Sequence, residues 1–79
     1  MLSPIKDATT LGQLVRHVRK QHKLTQPDVA LAAGVGLRFL NELEAGKPTL
    51  RLALVLRVLD VLGITLQAEA ATPSGEEGV

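Results

Sequence analysis

The side chains suited to acid–base chemistry or metal binding are few and scattered in this chain of 79 residues. His17 and His22 lie five positions apart, whereas two ligands on one helix face are usually a single turn apart. Asp7, Asp28 and Asp60 belong to different segments and have no evident catalytic companion. Cysteine is absent, and no glycine-rich loop ends in Lys-Ser or Lys-Thr. We therefore expect no enzyme, no metal and no cofactor.

Positive charge is concentrated in one short segment, although the formal net charge of the chain is only +1. Outside residues 72–79, nine Lys and Arg side chains stand against six Asp and Glu, a net charge of +3. A cluster that we name the basic stripe falls within eight residues: Arg16, Arg19, Lys20 and Lys23. Such a stripe suits a negatively charged partner, but an ordinary solvated helix face has the same composition.

The size and composition of the chain favour a small helical domain that needs a partner subunit. Chains of this length bury only about 60–65% of their unfolded surface. The apolar share is 46%, yet Phe39 is the one aromatic residue, so the core must consist of aliphatic side chains. No segment has the roughly 20 apolar residues of a membrane span, and residues 1–7 lack the pattern of a signal peptide. We therefore expect a cytoplasmic protein, stabilised by oligomerisation because disulfides are excluded.

Apolar periodicity predicts a first helix with one apolar face, which Thr9 or Thr10 would cap. The inward-facing members of that helix are Leu11, Leu14, Val15, Val18 and His22. A second helix is predicted after Thr25, a suitable N-cap residue, and Gly34 would end it.

A third helix is predicted over residues 36–45, followed by a fourth over residues 50–62 that Thr49 would cap. The fourth helix is apolar on almost every side, so it needs more cover than three short helices provide. Residues 64–70 then alternate between apolar and polar, as in a β-strand, and no other segment alternates in this way. An unpaired strand would leave backbone groups unsatisfied, so a partner for it must come from elsewhere.

These elements predict four parts of the chain. Residues 1–8 form a flexible arm, residues 9–63 the helical domain, residues 64–70 a dimerisation strand, and residues 71–79 a disordered tail.

The small and apolar residues from Gln26 onward fit a helix-turn-helix motif. Counted from Gln26, small Ala30 is fifth, where the next helix crosses closely, and Gly34 is ninth, where the chain turns. Five apolar positions would lock the two helices together: Val29, Ala33, Val35, Leu40 and Leu43. All seven constrained positions agree with the motif.

The chain resembles the Cro/C1-type, or XRE-type, family of DNA-binding domains over residues 10–63. The segments that carry this resemblance are LTQPDVALAAGV, LNELEAGK and VLDVLG. With GITLQAEA after the last helix, the chain is most similar to HipB-like antitoxins. The resemblance implies an all-α fold, a compact four-to-five-helix, lambda-repressor-like domain with one C-terminal β-strand that pairs across a dimer.

The resemblance also implies a function and partners. We expect a sequence-specific transcriptional repressor that binds a palindromic operator in double-stranded DNA as a homodimer. We further expect the antitoxin of a HipBA-like operon, which autoregulates its promoter and neutralises a HipA-like serine/threonine kinase toxin. The alternatives are a stand-alone XRE-type regulator and a protein-interaction module that does not bind DNA.

In this family the second helix of the motif lies in the DNA major groove, with its N-terminal residues at the base edges. Arg38 can donate two hydrogen bonds to guanine, whereas Leu37 can contact a thymine methyl group or a partner protein. The expected base-reading residues are Gly36, Leu37, Arg38 and Asn41. The expected contacts to the DNA backbone are Gln26, Phe39, Lys47 and the basic stripe Arg16, Arg19, Lys20 and Lys23.

Some roles stay open in the sequence. Phe39 either packs at the corner between the third and fourth helices or contacts DNA. Glu42 would repel phosphate unless it meets a cytosine amine or pairs with a cation, and Glu44 is structural in this family. The expected dimer interface consists of Val55, Leu59, Leu62, Ile64, Leu66 and Ala68.

Overall fold

The computed structural model describes residues 2–71, and in this part the chain forms four α-helices and no β-strand. The helices are α1 (Ala8–Gln21), α2 (Gln26–Ala33), α3 (Leu37–Ala45) and α4 (Leu52–Val61). The predicted all-α class is therefore confirmed. The predicted tail of residues 71–79 lies outside the described residues from position 72 onward.

The N-terminal caps of the helices agree with the sequence in one case and differ in two. The Thr25 hydroxyl accepts the Asp28 N–H at 3.2 Å, and the Asp28 carboxylate accepts the Thr25 N–H at 3.0 Å, so the predicted cap of α2 is confirmed. For α1 the prediction of Thr9 or Thr10 is wrong. The carboxylate of Asp7 accepts the Thr10 N–H at 2.8 Å, which places both threonines inside the first turn.

The start of α4 is also later than predicted. Its N-cap is Arg51, whose carbonyl accepts the N–H of Val55 at 3.1 Å. Thr49 therefore lies outside the helix and does not cap it. No side chain caps α4, so this helix is held mainly by the packing of its apolar residues.

The core lies between all four helices and consists of aliphatic side chains. Its members are Val15, Val29, Ala30, Ala33, Leu40, Leu43, Val55, Val58, Leu59 and Leu62. The five members from α2 and α3 occupy constrained positions of the helix-turn-helix pattern, and Val35 in the turn is half-buried against them. The motif thus supplies half of the core and fixes α3 on the rest of the domain.

The buried face of α1 is rotated from the predicted one. Gly12, Val15 and Arg19 are buried, whereas His22 is exposed, so its predicted place at the core edge is wrong. The predicted apolar residues Leu11, Leu14 and Val18 are half-buried beside this face. The rotation arises because α1 packs closely on α3 at Gly12, where the absence of a side chain permits the contact.

The apolar side chains of α4 are mostly covered within a single chain. Val55, Leu59 and Leu62, which the sequence assigned to a dimer interface, are 5%, 1% and 3% exposed in the protomer core. That assignment is wrong, because these side chains are buried in the core of the protomer, where α4 packs mainly on α2. The apolar surface that α4 leaves exposed comes from Leu52 and Leu56 instead.

After α4 the chain continues as an irregular segment through the end of the described part. The Ile64 N–H donates to the Leu59 carbonyl at 2.9 Å, and the Ile64 side chain packs half-buried against the core. Leu66 and Ala68 are exposed. The pairing of residues 64–70 with a second copy stays a prediction.

Candidate nucleic-acid interface

A tight turn sets the relative position of α2 and α3. Gly34 adopts a left-handed conformation with φ of 70°, which favours glycine, and this ends α2. The Val35 N–H then donates to the Ala30 carbonyl at 3.0 Å, closing the turn. Ala30 itself is 5% exposed, because α3 crosses above it. The small residues therefore lie where the motif needs them.

A network of three side chains ties α1, α2 and α3 together below this motif. Arg19 donates from Nε to Glu44 Oε2 at 2.6 Å and from Nη2 to Glu44 Oε1 at 3.0 Å. Its Nη1 donates to the Leu24 carbonyl at 2.9 Å, and Gln26 Nε2 donates to Glu44 Oε1 at 3.0 Å. We name Arg19, Glu44 and Gln26 the interhelix network.

The electrostatics of this network favour the ionised pair. Burial alone would raise the pKa of Glu44, but the hydrogen bonds from Arg19 and Gln26 and the charge of Arg19 bring the pKa below its usual range. The same hydrogen bonds to Glu44 raise the pKa of Arg19. The side chains of Arg19 and Glu44 are only 10% and 5% exposed, so this is a buried bidentate ion pair.

Arg19 therefore does not lie with the rest of the basic stripe. Arg16, Lys20 and Lys23 are exposed on α1 and just after it, as predicted, but the Arg19 guanidinium points into the domain. Its predicted place among solvent-facing phosphate ligands is wrong, because Glu44 engages it 25 positions along the chain. The basic stripe is reduced to three cations.

Lys23 occupies an unusual backbone conformation. It is the one described non-glycine residue with positive φ, at 58°. Its N–H donates to the Lys20 carbonyl at 3.0 Å, and the Leu24 N–H donates to the Arg19 carbonyl at 3.1 Å, so the chain reverses here. This turn leads directly from the basic stripe to the start of α2.

The first turn of α3 presents its side chains to solvent. Gly36 is the N-cap, and Gly36, Leu37, Arg38 and Asn41 are all exposed. The Arg38 side chain is 90% exposed, so its guanidinium is available to an outside acceptor. The structure thus brings the expected base-reading residues onto one exposed part of α3, although their contacts with DNA stay a prediction.

A carboxylate and a second cation accompany Arg38 on this surface. Glu42 Oε2 accepts a hydrogen bond from Lys47 Nζ at 3.1 Å and forms an ion pair with Arg38 Nε at 3.6 Å. The hydrogen bond from Lys47, with the charges of Lys47 and Arg38, holds the pKa of Glu42 below its usual range, although burial acts in the opposite direction. Glu42 therefore pairs with cations, as one of its two interpretations expects.

A shallow polar pocket of about 300 Å³ lies between α1, α2 and α3. It is lined by Arg16, Gln26 and Asn41, together with Ala45 and the Arg19–Glu44 pair. Arg19 neutralises the Glu44 charge, so Arg16 supplies the unbalanced charge of the pocket. The pocket brings expected backbone-contact residues from α1 and α2 beside Asn41 of α3.

The position of Phe39 favours packing, which is one of the two roles that the sequence left open. Phe39 is half-buried and packs against the core, whereas Leu37 and Arg38 before it are exposed. A contact between Phe39 and DNA stays a prediction.

Sequence reasoning missed two residues that position the interface, Gly12 and Arg19. Both lie in register with buried Val15, at separations of three and four residues. A helical face that includes a glycine and an arginine at this spacing was the available signal. Neither residue type is apolar, so apolar periodicity alone does not reveal this face.

The described residues place limits on other kinds of site. None of their helices is long and apolar enough to span a lipid bilayer. Within residues 2–71, no group of three or more His, Cys, Asp or Glu side chains is arranged to hold a metal ion.

Known proteins share this sequence pattern and this fold. A family model described as a helix-turn-helix domain matches residues 10–72. The chain is 50% identical over 66 residues to the uncharacterized HTH-type transcriptional regulator y4mF of Sinorhizobium fredii, covering 84% of this chain and 87% of that protein.

Solved structures with the same fold are more distant in sequence. The HipB-O4 20mer complex matches with a TM-score of 0.80 and 21% identity, covering 90% of this chain and 100% of that chain. The structure of a HipA-HipB-O2-O3 complex matches with a TM-score of 0.80 and 20% identity, again over 90% of this chain and 100% of the other.

Proposed function

Because the chain belongs to the helix-turn-helix family, we propose that it is a sequence-specific DNA-binding regulator of transcription. The observation that carries this proposal is the exposed first turn of α3, a helix that the interhelix network and the core attach to α1 and α2. The relative named as an HTH-type transcriptional regulator, at 50% identity, supports the same function.

In the proposed complex, α3 lies in the major groove with its N-terminal turn against the base edges. Arg38 donates to guanine O6 and N7, and Leu37 offers its exposed apolar surface to a thymine methyl group. Phosphates lie against Lys20, Lys23 and the polar pocket beside Arg16. These contacts position α3 without reading sequence.

The substitution Arg38→Ala tests the base-reading assignment. We expect it to weaken binding to the preferred duplex by about 1–3 kcal/mol and to relax the preference at one base pair. The preferred duplex is obtained by selection from a random library with the wild-type protein, and affinities are measured by fluorescence anisotropy.

Lys20→Ala is the matched control, since it should weaken all duplexes alike and make the salt dependence of binding shallower. Unchanged affinity and preference in the Arg38→Ala variant would show that α3 does not read DNA in this way. A wild-type protein that binds no duplex even at low salt would favour a protein-interaction module instead.

We also propose that the protein acts as a homodimer joined through residues 64–69. An open cavity of about 830 Å³ lies between this segment, the arm at residues 2–5, and Leu14 and Val18 of α1. Leu66, which lines the cavity, is 45% exposed. Antiparallel pairing with a second copy would cover this surface and satisfy the strand edges in a closed two-fold contact. The two α3 helices would then read half-sites about 34 Å apart, or a multiple of that spacing.

Leu66→Asp tests the proposed dimer without disturbing the protomer core. We expect the variant to sediment as a folded monomer and to lose affinity for a two-site duplex, because two linked contacts become one. Gln67→Asp adds the same charge to the adjacent exposed residue, whose side chain would face away from the apolar face of the proposed strand, and it should stay dimeric. A wild-type protein that sediments as a folded monomer at micromolar concentration would contradict this proposal and the predicted two-fold operator.

The finer function that we propose is that of an antitoxin. The chain would repress its own operon and hold a HipA-like serine/threonine kinase inactive. The similarity to HipB-like sequences and the fold shared with the chain of the HipA-HipB-O2-O3 complex support this role. Recovery of a kinase-like protein with the tagged chain from its native host would favour it. Recovery of DNA alone would favour a stand-alone regulator.

A further inference from the structure

The exposed part of α3 carries a carboxylate, Glu42, beside the arginine proposed to read DNA. Glu42 is one helical turn beyond Arg38, and its side chain is 27% exposed. Both of its ion pairs use the same oxygen, Oε2. Because α3 is proposed to lie close to phosphates, the negative charge of Glu42 opposes binding to DNA. Its presence there needs an explanation.

Two hydrogen bonds join Lys47 to Glu42. Gly46, with φ of 85°, turns the chain back at the end of α3, and the Lys47 N–H then donates to the Glu42 carbonyl at 3.0 Å. The Lys47 side chain returns to the Glu42 carboxylate at 3.1 Å. Lys47 is therefore held beside α3 and does not extend freely towards solvent.

Arg38 is held differently, and its recognition groups stay free. The ion pair with Glu42 uses Nε, at 3.6 Å, which leaves Nη1 and Nη2 unengaged. Two parallel N–H donors are what guanine O6 and N7 require. Glu42 attracts the guanidinium from its Nε side, which leaves the two Nη groups for a guanine, and its charge opposes the approach of a phosphate oxygen to the same place.

We propose that Glu42 is a specificity-determining positioning residue, which orients Arg38 and Lys47 and repels phosphate wherever Arg38 has no guanine to bind. This inference rests on the proposed DNA-binding function. On a matching sequence Arg38 binds guanine while Glu42 stays beside it, so Glu42 costs little there. On other sequences Arg38 and Lys47 reach phosphate only by leaving Glu42, so its charge opposes binding. Glu42 thereby lowers affinity for non-cognate DNA more than for cognate DNA, which is how repulsive elements raise specificity.

Glu42→Gln keeps the shape of the side chain and removes its charge, so it is the direct test. The probes are the duplex selected by the wild-type protein and a scrambled duplex of equal composition, each titrated across a salt series. We expect affinity for the scrambled duplex to rise about fivefold, with a salt slope steeper by about one, because Arg38 and Lys47 become free to contact phosphate. Affinity for the selected duplex should change by less than about twofold. The specificity ratio, which is the affinity for the selected duplex divided by that for the scrambled one, therefore falls.

Asp60→Asn is the matched control, since it removes the same charge from an exposed position on α4. Its specificity ratio should equal that of the wild-type protein. In an Arg38→Ala background, Glu42→Gln should no longer lower the specificity ratio. A general effect of charge would lower the ratio in both backgrounds. The thermal midpoint should stay within a few degrees of the wild-type value, because Glu42 makes only exposed ion pairs.

An unchanged specificity ratio in Glu42→Gln, or an equal fall in Asp60→Asn, would overturn the inference while leaving the proposed function intact. Failure of the proposed function has a different signature. In that case the wild-type protein would select no sequence from the random library, and the inference would fall with it.

Discussion

Replacement of Glu44 with glutamine should lower the free energy of unfolding by about 3 kcal/mol, because it leaves the buried guanidinium of Arg19 without a counter-charge. Arg19 is 8% exposed and cannot turn to solvent without breaking its bond to the Leu24 carbonyl. The measurement is urea unfolding at one fixed protein concentration, monitored by circular dichroism. The loss should appear in the midpoint, with the slope unchanged.

The same variant should show a distinctive dependence on pH. The folded pKa of Glu44 lies below its ordinary value of 4.5, so the stability that the charged pair provides is complete above that pH. It is lost as the pH falls through the folded pKa, because the carboxyl then gains a proton and resembles the glutamine. The stability difference between the wild type and Glu44→Gln should therefore shrink below pH 4.5.

A double variant separates the ion pair from the packing of its side chains. Arg19→Met with Glu44→Leu removes both charges together and should recover most of the stability lost by Glu44→Gln. A Glu44→Gln variant as stable as the wild type at neutral pH would contradict this account. It would mean that Gln26 and water compensate Arg19 once the charge is gone.

The parts of the fold that were predictable from sequence depend on neighbouring residues. Gly34, Ala30 and the apolar positions of α2 and α3 lie within a single motif of two helices and a turn, where spacing determines contact. The cap of α2 was equally local, since Thr25 and Asp28 satisfy each other across one helical turn. The same motif predicts the exposed residues of α3, which are Gly36, Leu37, Arg38 and Asn41.

The parts that were not predictable depend on contacts between distant segments. Arg19 resembled another member of the basic stripe, because its partner Glu44 lies 25 positions away. Val55 and Leu59 are apolar residues that the sequence leaves without a partner in the protomer, because it does not show how α4 packs in the core. Residue types describe a helix face in isolation, whereas the orientation of α1 and the cover of α4 were set by tertiary packing.

Replacement of Gly12 with alanine should have the largest effect on stability, although alanine favours helices over glycine by about 1 kcal/mol. A β-carbon on Gly12 would overlap the Leu43 carbonyl oxygen and would lie 2.8 Å from the Glu44 carbonyl oxygen. Both are backbone atoms of α3, so the clash cannot be relieved by a side-chain rotation. We expect a loss of at least about 3 kcal/mol in the free energy of unfolding.

Gly36→Ala is the matched control, since a β-carbon there meets nothing within 4 Å and the residue has φ of −71°. It should cost about 1 kcal/mol or less, because glycine is a better N-cap than alanine. If Gly12→Ala were as stable as Gly36→Ala, α1 and α3 would have to separate easily, and the close contact would not be a constraint.

Because Gly12 sets the distance from α1 to α3, any Gly12→Ala protein that folds at low temperature should also carry a displaced α3. We therefore expect it to bind the duplex selected by the wild-type protein more weakly at temperatures where circular dichroism shows it fully helical. If the folded variant bound that duplex with the affinity of the wild type, the close α1–α3 contact would not be needed for DNA recognition.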